Sequence, residues 1–383
     1  MTDVSVPPDT RLTIDDLQGA PARVRREHLV RGIALGAALW SVVVSILILA
    51  SLFREAWTFI TQVEWSSTWG QTGWYPRRGI YDIPSILVPT IIVTVIAMVV
   101  AGPVGLGAAI YLSEYARPRV RAWLKPILEI LAGIPSVVLG FFALTFIAPE
   151  VVGRITKTGF LVVGLIVLGL YCVAALAYGR RRLKRVRDGE SDPSAIIGVT
   201  AIFAMLAAVF VAYLLWMFNT ASAFERAGAG SLAAAGIGVG ILTIPLVASV
   251  SEDAMAAVPN SLREASAGLG ARKMATSTTV VVPAAISGIV AAFIVATSRA
   301  IGETMVVFLA GGAADAAAFT DSPFDGGLTM TAAMASLASG TDSVVGEGLT
   351  FQSLFFVGLL LFFITLVLNM AAARFVARVR EQY

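Results

Sequence analysis

The sequence predicts an all-helical protein that crosses a membrane several times. Of its 383 residues, 57% are hydrophobic and only 14% are charged, whereas ordinary soluble domains carry about 25% charged residues. Apolar runs of about 20 residues, long enough to cross a bilayer as helices, recur along the chain. These runs are apolar on every face, whereas the strands of a membrane barrel alternate apolar and polar residues.

Apolar windows predict about eight spans. A polar segment, residues 1–30, precedes the first of them without a small-residue cleavage site, so a cleaved signal peptide is not expected. The predicted spans are residues 33–53, 86–112, 127–148, 160–178, 195–218, 232–250, 286–311 and 351–375.

The distribution of Lys and Arg predicts the orientation. With the N-terminus inside, 21 of the 28 basic residues fall in inside segments, as the positive-inside rule requires. Both termini are therefore expected to be cytoplasmic, with an even number of spans. The net charge of +3 then reflects topology and gives no reason to expect a nucleic-acid partner.

Cysteine and histidine counts exclude several kinds of site. Cys172 and His28 are the only residues of their types. An intramolecular disulfide, a thiolate metal cluster and a His-based catalytic triad are therefore excluded. We expect no catalytic residues, metal or cofactor in this chain.

Two outside segments differ in character. Residues 55–83 are rich in Trp and Tyr, which favour the membrane–water interface, so this segment is expected to lie partly on the outer surface. Residues 313–350 carry Asp and Glu but no Lys or Arg. An outward position of that acidic segment agrees with the positive-inside rule.

The inside loop 259–283 is longer than the other inside loops and predicts a helix, a glycine break and a second helix. Asn260 or Ser261 is expected to cap the first helix, Gly270 to end it, and Pro283 to mark the start of the next span. Such a helix has no core of its own, so it is either a docking element for another protein or a solvated linker.

This loop resembles the EAA loop of importer-type ABC permeases, E-A-A-x3-G-x9-I-x-L-P. The matching positions are Glu264, Ala265, Ser266, Gly270, Val280, Val282 and Pro283, with Ser for the second Ala and Val for Ile and Leu. The resemblance implies that the loop forms a coupling helix that inserts into a separate ATPase subunit. The chain has no G-x4-G-K-[ST] phosphate loop of its own.

Further motifs resemble the phosphate-specific transport permeases, the PstC and PstA pair. They are G-L-G-A-A-I-Y-L-S-E-Y at 105–115, G-I-P-S-V-V-L-G at 133–140, I-P-L-V-A-S-V-S-E-D-A-M-A-A-V-P at 244–259 and S-R-A-I-G-E-T at 298–304. The Trp-rich outer segment and the G-I-P-S-V-V run favour the PstC type. The resemblance implies a plasma-membrane permease domain at 31–383, a second permease subunit, two ATPase subunits and an extracytoplasmic phosphate-binding protein.

The chain is longer than the six-span core of that family. The additional apolar hairpin, residues 151–220, precedes the 244–259 motif. Since it adds two spans, it preserves the topology of everything after it. It is either peripheral packing against lipid or a contact with a partner subunit or regulator.

Arg299 and Glu303 are charged residues in a predicted span, where each charge costs about 2.5–3.5 kcal/mol on insertion scales. Their spacing of four places them on one helical face, where they could pair. The pair either fixes helix packing or holds the Arg299 guanidinium ready for phosphate oxygens. The matching residues of the resembling permeases are associated with the translocation path, which implies that role here.

Three other acidic residues lie near the inner ends of predicted spans. Glu129 is expected to extend to the interface. Glu252 and Asp253 are expected to face a partner ATPase or solvent, and the sequence leaves both alternatives open.

The sequence thus predicts a subunit of a phosphate-importing ABC transporter that is not itself an enzyme. An ABC permease for molybdate or sulfate is the nearest alternative. A secondary anion transporter that works alone is a more distant one, because such a protein needs no ATPase-docking loop.

Overall fold

The computed structural model describes residues 21–153, 230–312, 317–339 and 348–379, together with scattered positions between 162 and 215. Across this part of the chain, four helices are long and apolar enough to cross a bilayer, and two bent helix pairs also qualify if each counts as one span. The spans predicted at 160–178 and 195–218, and with them most of the 151–220 hairpin, are described only at scattered positions.

The described helices and strands are, in chain order, α1 (Pro21–Gln62), β1 (Trp74–Tyr75), β2 (Ile80–Tyr81), α2 (Pro84–Ile110), α3 (Pro118–Ala132), α4 (Ser136–Phe142), α5 (Leu232–Ala256), α6 (Asn260–Gly268), α7 (Lys273–Thr276), α8 (Val282–Ala284), α9 (Ile286–Ile301), α10 (Met305–Ala310), α11 (Met330–Ala338) and α12 (Gly348–Val379). Short π-helical stretches extend α2, α4 and α7, at Tyr111–Tyr115, Ala143–Val152 and Ser277–Val281.

Helices α2 and α5 form the central pair, and glycines set how closely they approach. A Cβ on Gly236 of α5 would lie 2.7 Å from the Ile96 Cβ of α2, and one on Gly105 of α2 would lie 2.7 Å from the Val247 Cβ of α5. Small residues allow such approach in a membrane, where lipid provides no hydrophobic drive between helices. Helices α3, α9 and α10 also pack against α5.

The N-terminal helix α1 is much less buried than the central helix α5. In the most apolar window of α5, 67% of the residues are buried, whereas none are buried in the corresponding window of α1. Helix α1 packs mainly against α12. The surface of α1 is thus available to lipid or to another subunit.

Two predicted spans are broken helices: the break at Gly133 and Pro135 is one that these two residues predict from the sequence, and the break after Ile301 corrects the sequence prediction. The span predicted at 127–148 consists of α3 and the α4 segment, bent by 85°, because Gly133 caps α3 and Pro135 cannot donate a backbone hydrogen bond. The span predicted at 286–311 ends as a regular helix at Ile301, and α10 starts again at Met305. Pro283 precedes a further 69° bend between the α7–α8 segment and α9.

The aromatic segment 55–83 is divided between the core and the surface. Helix α1 continues into it as far as Gln62, and Trp57 and Trp69 are exposed. Trp74 and Tyr81, by contrast, are buried, pair across the β1–β2 hairpin and stack edge to face. The hairpin is thus fixed to the helical core.

Candidate functional site

The structure places Arg299 and Glu303 on different local elements. Arg299 lies in the last turn of α9, the helix ends at Ile301, and Glu303 lies in the connection to α10. Among the described residues no ion pair joins them. The predicted helical pairing is therefore absent in this conformation, because the break after Ile301 interrupts the four-residue spacing.

Arg299 and Glu303 differ in what surrounds them. The Arg299 side chain is exposed. The backbone carbonyl of Glu303 accepts a hydrogen bond from the Thr331 hydroxyl of α11 at 2.7 Å. The break that carries Glu303 is thus tied to α11, while Arg299 is left facing open space.

That open space is a cavity of about 210 Å³ between α3, α5 and the end of α9. One water molecule occupies about 10–15 Å³ of such a cavity, so the cavity is large enough for a small hydrated anion. Its charged lining residues are Lys125, Glu129, Glu252 and Arg299, and the rest of the lining is mainly apolar. The predicted pathway residue Arg299 therefore lines a cavity, and no charged side chain among the described residues binds it.

Glu252 of α5 closes one side of this cavity with its partners on α3. Its side chain is completely buried. The Arg121 guanidinium donates to one carboxylate oxygen, and the Lys125 ammonium donates to the other at 2.9 Å. Lys125 also contacts Asp253 at 3.0 Å, on an aspartate that is 64% exposed.

This arrangement gives Glu252 neither of the two positions that the sequence left open, and it leaves both open for Asp253. Glu252 is not in solvent, because it is buried and bridges α5 to α3. Asp253 is largely exposed and shares Lys125 with it. Glu129, which was expected to extend to the interface, is exposed and lines the Arg299 cavity.

The EAA-like loop, residues 259–283, folds as the predicted helix, glycine break and helix. Helix α6 starts at Asn260 after Pro259, and no side chain caps it, so the predicted Asn260 or Ser261 cap is wrong. Leu269 caps the helix C-terminus. Gly270 follows with φ of 77°, a left-handed conformation that glycine adopts without strain.

The surface of this loop is largely open. No residue of α6 is buried, and Glu264, Ala265 and Pro283 are exposed. At the tip, Leu269 is 90% exposed and Met274 is 71% exposed. Ser266 is partly buried, because its hydroxyl bonds that of Thr276 at 2.9 Å and closes the loop on itself.

A buried ion pair anchors α6 to the membrane helices. Arg263 of α6 contacts Glu114, in the π-helical end of α2, at 3.0 Å, and the glutamate side chain is only 5% exposed. Arg263 also donates to the carbonyls of Met255 and Val258 at 2.8 and 2.6 Å. Arg263 thus joins α6 to the ends of α2 and α5.

Sequence reasoning missed the roles of Glu114, Arg263 and the Glu252 cluster. The signal for Glu114 is its position inside the 105–115 motif, where a carboxylate follows an apolar helix. Its partner lies 149 residues away, and Arg121 lies 131 residues from Glu252. Local spacing does not reveal pairs at such separations.

The family model described as "Binding-protein-dependent transport system inner membrane component" matches residues 173–381, which is more than half of the chain. The matched range contains α5, the EAA-like loop and α9. It therefore includes Glu252 and Arg299 from the cavity wall.

Similar curated proteins include transport permeases from several bacteria. The chain is 28% identical over 330 residues to the phosphate transport system permease protein PstC 1 of Mycobacterium tuberculosis, covering 84% of this chain and 82% of that protein. It is 27% identical over 326 residues to PstC of Mesorhizobium japonicum, covering 85% and 82%. It is 28% identical to the probable ABC transporter permease protein YqgH of Bacillus subtilis, covering 71% of this chain and 63% of that protein.

Among solved structures, inward-facing MetNI, a methionine ABC transporter, is similar with a TM-score of 0.42 and 16% sequence identity. The likeness covers 76% of this chain and 92% of that chain.

Proposed function

Because this chain belongs to the binding-protein-dependent transport system inner membrane component family, we propose that it is a permease subunit of an ATP-driven importer of inorganic phosphate. It forms half of the translocation pathway beside a second Pst-type permease subunit. Two ATPase subunits bind on the cytoplasmic side, and an extracytoplasmic binding protein delivers phosphate. ATP is hydrolysed in the partner subunits.

Phosphate is proposed as the substrate on one observation: Arg299 lines a cavity in a chain that is similar to proteins named phosphate transport permeases. A guanidinium presents a planar fork of donors that matches the oxygens of a phosphate ion. Within the described chain, no ion pair occupies this fork. Phosphate therefore has a cation available in the cavity.

The coupling role is supported by the contacts of α6. Glu264 and Ala265 are exposed on it, and Leu269 and Met274 offer an apolar tip. On its other side Arg263 holds the ends of α2 and α5, which also contribute Leu112 and Glu252 to the cavity wall. Displacement of α6 by a bound ATPase thus changes the shape of the cavity, as alternating access requires.

Another oxyanion is the second candidate substrate. Sulfate and molybdate offer a guanidinium the same tetrahedral array of oxygens as phosphate, so Arg299 alone does not distinguish them. A transporter that works without an ATPase is disfavoured by the exposed α6 and its apolar tip.

Reconstitution tests the proposal. The chain is copurified with its partner subunits, inserted into proteoliposomes with ATP inside and the binding protein outside, and assayed for ³²P-phosphate uptake. ATP-dependent uptake of phosphate, with little competition from sulfate or molybdate, is the expected result. Transport of another oxyanion only, or uptake that needs no ATPase, contradicts the proposal.

A further inference from the structure

The Glu252 carboxylate has more positive charge around it than its burial requires. A buried carboxylate needs a cationic partner, because an unpaired charge is strongly disfavoured away from water. Arg121 contacts one oxygen of Glu252, and Lys125 contacts the other. Since Arg121 alone keeps the charge paired, Lys125 can leave Glu252 without stranding it.

Lys125 lies on the wall between two cavities. The first is the Arg299 cavity. The second, of about 510 Å³, extends along the start of α3 past Arg121 toward Ala116 and Pro118. Leu112, Lys125 and Glu129 line both cavities, and the Lys125 side chain is 34% exposed.

Arg299 and Lys125 lie at successive levels of the bundle. A Cβ on Gly288 would lie 2.4 Å from the Ala254 Cβ, so this part of α9 lies beside the end of α5 that carries Glu252. Arg299 follows about 16 Å further along α9, at 1.5 Å per residue. The order is therefore Arg299, then Lys125, then the second cavity.

We propose that Lys125 is a second phosphate-binding group of the pathway, between the Arg299 cavity and the second cavity. When phosphate leaves Arg299, the Lys125 ammonium moves from Glu252 to a phosphate oxygen, and Arg121 keeps Glu252 paired. A lysine suits this exchange, because it is a compact charge on a flexible stem. Asp253, its other partner, is largely exposed and is left to water.

The inference rests on the proposed function, because it takes phosphate as the transported ion. Its test uses the fact that Cys172 is the only cysteine in the chain. Lys125→Cys is introduced into the Cys172→Ser chain, and the reconstituted complex is treated with methanethiosulfonates that attach either an ethylammonium or an ethylsulfonate group. The Cys172→Ser complex, treated in the same way, controls for cysteines of the partner subunits.

We expect Lys125→Cys to lower phosphate uptake about tenfold, the loss of one charge-assisted contact. The ethylammonium group should restore uptake to within about threefold of the control, and the ethylsulfonate group should not. Saturating phosphate should slow modification of Lys125→Cys, whereas Glu64→Cys in the same Cys172→Ser chain, at an exposed residue beyond α1, should be modified at an unchanged rate. Rescue by neither reagent together with no protection by phosphate overturns the proposal.

A double variant distinguishes phosphate binding by Lys125 from a purely structural role. It also provides the test if Lys125→Cys fails to assemble. If Lys125 only neutralises Glu252, then Lys125→Met combined with Glu252→Gln should restore uptake, because both charges are removed. If Lys125 binds phosphate, the double variant stays impaired although it assembles. Recovery of normal uptake by the double variant contradicts the proposal.

The same assay distinguishes failure of this inference from failure of the proposed function. If the wild-type complex transports sulfate or molybdate instead of phosphate, the proposed function fails. Protection of Lys125→Cys is then measured with the transported anion. Protection by that anion supports the Lys125 site, and its absence overturns it.

Discussion

Arg299 and Glu252 line the same cavity, but the structure holds them in opposite ways. Glu252 is completely buried and binds two cations from α3. Arg299 is exposed to the cavity, and no carboxylate in the described part of the chain forms an ion pair with its guanidinium. A paired and buried charge fixes the position of two helices, whereas a cation that faces a cavity is available to a ligand.

Removing the Arg299 guanidinium should have the largest effect. A charge-assisted hydrogen bond contributes about 1.5–3 kcal/mol, and each 1.4 kcal/mol is about tenfold. We expect Arg299→Gln to lower phosphate uptake about 100-fold and Arg299→Lys, which keeps the charge but loses the fork, about tenfold. Uptake is measured in membranes that contain equal amounts of each variant, and near-normal uptake by the Lys variant would falsify direct recognition by the fork.

Changes in the exposed part of the EAA-like loop should interrupt coupling while leaving Arg299 and the Glu252 cluster unchanged. Glu264→Arg reverses an exposed charge, and Gly270→Asp places a side chain where φ is 77°. Each should lower uptake at least about tenfold by weakening the docked ATPase. Pull-down of the ATPase from detergent extracts is the measurement, with normal membrane insertion as the control. Full ATPase association with full uptake in both variants rules out docking at α6.

Weakening the anchor of α6 should have a smaller effect than changing its docking face. Glu114→Gln removes the charge that pairs with Arg263, but Arg263 keeps its two carbonyl acceptors. The cost is therefore about 1–3 kcal/mol, as for a weakened buried hydrogen bond. Thermal unfolding of the purified complex should shift down by a few degrees, while Glu64→Gln, a change at an exposed residue beyond α1, should leave it unchanged. An equal shift in both variants argues against a buried anchor.

Deletion of the 151–220 hairpin should have the smallest effect, since Arg299, the Glu252 cluster and the Arg263–Glu114 pair all lie outside residues 151–220. With a short flexible join, the C-terminus and the EAA-like loop should stay cytoplasmic, because removal of two spans preserves parity. Uptake should fall no further than protein level explains. Reporters fused after Tyr383 measure the topology. An outward C-terminus overturns the span assignment, and correct topology with abolished uptake means that the hairpin takes part in transport or assembly.

Local features of the fold were predictable from the sequence. Apolar length identified α1, α2, α5 and α12, because a long apolar helix needs no partner to be recognised. The glycine break of the EAA-like loop was predictable from Gly270, which takes a conformation that other residues avoid.

Features that depend on tertiary packing were not predictable. The break after Ile301 separates Arg299 from Glu303, yet the apolar run continues through it to α10. Hydropathy does not register such a break in the helix. The sequence predicts that Glu252 faces a partner ATPase or solvent, since it does not show that α3 brings two cations against this residue.

The apolar tip of the EAA-like loop has a consequence for how the cell handles this subunit. Leu269 and Met274 project from the loop, and a permease that has not yet met its ATPase leaves both side chains in water. Such exposed apolar groups favour aggregation and recognition by quality-control proteases. If the proposed ATPase covers this tip, we expect unassembled copies of the permease to be removed, so that its abundance depends on the supply of that ATPase.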